Sequence, residues 1–213
     1  MPETQKPDLK NQYFAEAMNV LLPIPATLKT LDGKIAEFDK AYYSLREMGD
    51  AHTETIADEL RSTKKQRETV QGIFDSTIAD LKTQFTNDTQ TRRDAAERRA
   101  QESTAISEDF RLLDLPVVLE KHELQKLVDR NAFNPLFTRA AVQYAQKHQL
   151  PRLDTTTPID RATKRINDTL STVEHYLKDE SLSALLPNHP ALIESWDTDL
   201  NASWSEITDA APM

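Results

Sequence analysis

The chain runs to 213 residues with a formal net charge of −9; 29% of its residues are charged, 38% are hydrophobic, three are glycine and none is cysteine. Without cysteine there are no disulfides, thiolate nucleophiles, zinc–thiolate sites or iron–sulfur clusters, and glycines only at 33, 49 and 72 exclude glycine-rich phosphate loops from everything beyond. A net acidic chain repels nucleic acid and anionic membranes, so either partner would need a locally basic face.

The sequence opens Met1-Pro2-Glu3-Thr4, acidic and polar where a secretory signal is basic and then apolar, and no apolar run approaches about 18 residues. A soluble chain is therefore expected, intracellular or built into a macromolecular assembly, with no membrane partner. N-x-[ST] triplets at Asn87, Asn167 and Asn201 read as chance matches.

Residues 1–25 form an N-terminal segment with a short helix. Prolines stop at 25 and resume at 116, which leaves 90 proline-free residues for a helical arm assigned to 26–113. Leu28, Leu31, Ile35, Phe38, Tyr42 and Leu45 step by threes and fours, the spacing of a coiled-coil seam. After a lapse at Gly49-Asp50 the stripe passes Ile56 and Leu60 and continues through Val70, Phe74, Ile78, Leu81 and Phe85. Such a stripe must be buried, against its own second half, later helices or another copy. The arm is either one helix about 130 Å long or a hairpin turning at Gly49-Asp50 or at Thr86-Asn87-Asp88-Thr89, and a break at one of these is favoured.

Beyond Phe85 the seam is nearly bare, and Arg92 and Arg99 fall where the seven-residue spacing leads on to Ile106. Arg92, Arg93, Arg98 and Arg99 form a band that is the candidate nucleic-acid contact, together with Arg61, Lys64, Lys65 and Arg67. Interleaved acids nearly cancel its field, since 61–111 holds ten bases and nine acids, and no aromatic side chain lies between Phe85 and Phe110 for stacking on bases.

A small helical bundle is expected over 114–180. Helices should open at Asp114-Leu115-Pro116, Asn134-Pro135 and Thr157-Pro158, because proline suits a first helical turn and Asp, Asn and Thr suit the cap before it. The third carries Ile159, Ala162, Ile166, Leu170, Val173 and Leu177 at heptad spacing. A last helix opens at Asn188-His189-Pro190 within an acidic tail, 181–213, and puts Ile193, Trp196, Leu200, Trp204 and Ile207 on one face. That face suits a partner's hydrophobic groove with a basic rim, or the chain's own bundle. With no alternating strand pattern and no repeat of fixed period, the fold class is all-α.

No chemical constellation emerges from these elements. Histidines 52, 122, 148, 175 and 189 are scattered, Glu120, His122 and Glu123 diverge around a helix, and Ser62-Thr63-Lys64-Lys65 lacks the companions of a serine nucleophile. No metal, cofactor or small molecule is expected. The expected function is a non-enzymatic structural, scaffolding or adaptor subunit that self-associates through the seam and docks a protein partner through its last helix. Viral scaffolding and connector proteins share these features by analogy. The alternatives are a nucleic-acid-binding protein using the arginine band and an enzyme with a carboxylate pair in a pocket the sequence does not reveal.

Overall fold

The computed structural model describes residues 11–102 and 108–210, with side chains described through 98 and from 108 to 207. In chain order come α1 (Gln12–Leu21), α2 (Ile24–Met48), α3 (Thr53–Glu102), α4 (Asp109–Leu112), α5 (Lys121–Arg130), α6 (Pro135–Lys147), α7 (Pro158–Lys178), α8 (Glu180–Ser183), a 3₁₀ turn at Leu186–Asn188 and α9 (Pro190–Ala210). The chain is all-α, and no strand occurs among the described residues.

Of the two breaks offered by the arm, the chain uses Gly49-Asp50. Gly49 takes the left-handed conformation at φ 66°, the Asp50 N–H reaches back to Leu45 O (3.0 Å), and the Gly49 N–H reaches Arg46 O (3.2 Å). Glycine meets no steric penalty there, which makes it the usual residue just past a helix end. Asp50 then opens α3 by accepting the His52 N–H (2.8 Å) and, at its carbonyl, the Thr53 hydroxyl (2.6 Å). His52 holds the Asp50 carboxyl below its usual range, first through this backbone bond and then through its ring. At the alternative site, Thr86–Thr89, α3 continues, and the buried Thr89 hydroxyl returns to Phe85 O within the helix.

Most helix openings follow their caps. Asn134 accepts the Leu136 and Phe137 N–H groups (both 3.1 Å), and Thr157 accepts the Asp160 N–H (3.0 Å). The helix expected from Pro116 begins later, at Lys121. Leu115 precedes a proline and is steered away from helical backbone, whereas Glu120 and Glu123 form a reciprocal capping box five residues on.

Two compact units emerge, and α3, α7 and α9 contribute residues to both. The first comprises 1–84 with 169–198, the second 85–168 with 199–213. Buried in the first are Phe14, Met18 and Leu21 of α1, Leu31 of α2, Phe74, Ile78 and Leu81 of α3, Leu170, Val173 and Leu177 of α7, and Ile193 and Trp196 of α9. Polar ties accompany this core: Asp197, itself buried, accepts the Asn11 N–H (2.9 Å), and Glu174 pairs with both Lys178 and Lys82. These two lysines, Lys178 first, hold the Glu174 carboxyl below its ordinary range.

The second unit is built on Leu124, Leu127 and Val128 of α5 and Phe137, Ala141, Tyr144 and Ala145 of α6, closed by Leu153. Phe110 meets Phe137 edge to face at 5.1 Å. Ile159, Ala162 and Ile166 of α7 and Leu200 and Ile207 of α9 are buried in this unit too. Asp109, also buried, is satisfied by Asn131 (2.6 Å) and Arg130 (3.2 Å). The connection 150–157 is tied down by polar bonds. Gln125 exchanges two hydrogen bonds with the Asp154 backbone, and Arg161 bridges Asp154 (2.9 Å) and Asp129 (2.8 Å).

Candidate functional site

The seam divides into a covered and an open stretch. Leu31, Phe74, Ile78 and Leu81 are buried in the first unit and Phe85 in the second. Leu28, Ile35, Phe38, Tyr42 and Leu45 of α2, and Ile56, Leu60 and Val70 of α3, are only half-buried. Ion pairs of Arg67 with Asp32 (2.5 Å) and Lys64 with Asp39 (3.5 Å) set α2 and α3 antiparallel about the Gly49 turn. A pair of helices covers one flank of each stripe and leaves the other to solvent, so half-burial is the expected state of a seam that has found one partner helix. Tyr43, Met48 and Ile73 stand exposed on the same two helices.

The arginine band is largely spent within the second unit. The Arg92 guanidinium lies over the Trp204 ring, 5.3 Å from its centroid, and Phe85 meets the same ring edge-on at 5.8 Å. Two heptad-spaced residues of α3 therefore hold one tryptophan of α9 between them. Arg93 pairs with Asp160, and Arg98 donates to the Asp94 carbonyl one turn back (3.2 Å). The Arg99 side chain lies outside the described residues, as does Ile106. Sequence spacing identified the arginines but not their partners, because Asp160 and Trp204 lie far along the chain and no local pattern points to them.

On α9, Ile193 and Trp196 are buried in the first unit, Leu200 and Ile207 in the second, where Trp204 is half-buried. Trp196 meets Tyr176 at 5.3 Å. Of the two uses open to this face, a partner's groove or the chain's own bundle, the burial matches the second. Compared with known proteins, the chain matches no family model, no curated protein and no solved structure.

In the first unit a cavity of about 270 Å³ has Leu28, Phe74 and Leu177 in its lining. Its acids Asp32 and Glu180 are bonded to Arg67 and to Lys29 (2.8 Å). A groove on the second unit, lined by Ala132, Phe133, Pro135, Arg139 and Val142 among others, is apolar and open. Among the described residues no three His, Asp or Glu side chains gather as a metal ion would require, and no helix is long and apolar enough to cross a membrane.

Proposed function

We propose that this chain is a non-enzymatic structural or adaptor subunit of a larger assembly, and that it self-associates by packing the open seam of one α2–α3 hairpin against that of another. The half-burial of Ile35, Phe38, Tyr42 and Leu45 beside a fully covered Phe74, Ile78 and Leu81 carries the reading. Two hairpins laid seam to seam make a four-helix bundle, which buries the flank that a single hairpin leaves wet. Charge favours a second copy as the occupant: residues 24–73 hold eight bases against nine acids, so two hairpins meet with little repulsion although the whole chain is −9.

Light scattering over a wide range of concentration tests the proposal. The protein should show a concentration-dependent rise to a multiple of 24.2 kDa that persists at high salt, as apolar contacts do. Leu45→Lys should weaken that rise at least tenfold in dissociation constant while leaving the helical circular dichroism unchanged. If the parent protein stays monomeric throughout, or the lysine variant assembles like the parent, the seam is not an interface.

A further inference from the structure

We propose that the hairpins of two copies pack antiparallel about a twofold axis, the tip of each lying on the middle of the other. This rests on the seam reading above and adds to it the orientation and extent of the contact. Charge along the hairpin carries it. The tip, residues 41–60, holds the base Arg46 and the five acids Glu47, Asp50, Glu54, Asp58 and Glu59, a net −4 with His52 neutral. The stretch behind it, 31–40 on α2 with 61–70 on α3, holds six bases and four acids, a net +2. Apart from the half-buried Asp39, Asp50 and Arg67, every one of these charged side chains is exposed.

Internal pairing does not erase the contrast. Arg67–Asp32 and Lys64–Asp39 each lie within the middle stretch. Arg61–Asp58 (2.8 Å) crosses the boundary, and setting that pair aside leaves −3 against +1, with both signs kept. The centres of the two stretches lie about 15 Å apart along each helix, farther than the Debye length of about 8 Å at physiological salt. A facing surface therefore meets each stretch by its own sign, although the hairpin as a whole is nearly neutral. Parallel packing sets tip on tip and middle on middle, like on like throughout. Antiparallel packing sets an acidic tip on a basic middle twice over, and such a twofold contact closes at a dimer.

The half-buried seam lies in the same part of the hairpin. Ile35, Phe38, Tyr42 and Leu45 of α2 and Ile56 and Leu60 of α3 all fall within these two stretches. Behind them, at 24–30 and 71–77, the chain's own later helices supply cover: Leu28 and Phe74 share a cavity wall with Leu177 and Ser183, and Glu180 takes Lys29. A second copy laid antiparallel overlaps 31–50 and 51–70, about 30 Å of hairpin, and covers the half-buried side chains toward the tip.

The two orientations answer a change of tip charge with opposite signs. Glu47→Gln combined with Glu59→Gln makes two exposed tip acids neutral, and it should weaken the dimer several-fold in dissociation constant, read by sedimentation at physiological salt. Glu47 lies at the negative end of α2, so its removal does not loosen that helix and the weakening reports the contact. In a parallel dimer the same change relieves a repulsion and tightens association. Distance gives an independent reading in a chain without cysteine. A nitroxide on Ala51→Cys, exposed at the tip, should lie about 30 Å from its copy by electron–electron dipolar spectroscopy. A parallel dimer brings the two tip backbones to about 10 Å and broadens the spectrum instead. An unchanged or tighter dissociation constant for the double variant, or a broadened spectrum from an associated protein, overturns the antiparallel orientation and leaves the seam standing. A parent protein that is monomeric at every concentration removes both.

Discussion

Arg92 and Arg93 are neighbours on one helix, yet one covers an indole and the other meets a carboxylate. Asp160 offsets the charge of Arg93, whereas Arg92 keeps its charge and is held in place over the ring, and both partners lie more than sixty positions away. At Gly49 the opposite holds, since everything the residue does follows from its own missing Cβ. No atom stands within 4 Å of where a Cβ would project, but φ is +66°, so Gly49→Ala is strained by backbone alone. It should cost about 1–2 kcal/mol, measured by urea denaturation, and Gly33→Ala, in the middle of α2 where φ is not positive, should instead be neutral or stabilising. That difference marks what was legible at this scale: the sequence offered Gly49 as a stop because glycine has a local reason to sit there, and it could not offer Trp204 as the partner of Arg92.

Helical elements were read best where a cap and a proline coincide. Asn134-Pro135 and Thr157-Pro158 open α6 and α7 at the expected residues, and Asn134→Ala should lower stability by about 1 kcal/mol by releasing two N–H groups, a loss visible as a reduced melting temperature. Asp114-Leu115-Pro116 had the same appearance and opens nothing, since the Glu120–Glu123 box competes for the start and wins with two reciprocal bonds. Residues 115–118 are left outside any helix and exposed. The seam was legible as a stripe, but its depth of burial was not. Spacing tells which side chains share a face, and only the number of helices packed on that face decides how wet they remain.

For the whole molecule, charge is the term most open to control. Asp154 is held down at about 2, from the usual 3.8, first by hydrogen bonds from Thr156 and then by Arg161. A carboxyl with a lowered folded value stabilises the fold fully above its unfolded value and loses that contribution as pH falls through the folded one. Stability should therefore decline as pH drops from about 4 towards about 2, and Asp154→Asn should be less stable at neutral pH and flatter across that window. Denaturation midpoints at a series of pH values would show it, and a slope unchanged by the substitution would remove Asp154 from the account. The side chain is half exposed, so the effect is a modest share of the total.

The two tryptophans fall one to each unit: Trp196 buried beside Tyr176 in the first, Trp204 half-buried between Phe85 and Arg92 in the second. The chain thus carries its own pair of optical reporters in unlike surroundings, one shielded by rings and the other under a fixed positive charge. With Trp196→Phe or Trp204→Phe the remaining emission belongs to a single unit, so the loss of each can be followed by colour alone, without a label or an attached dye.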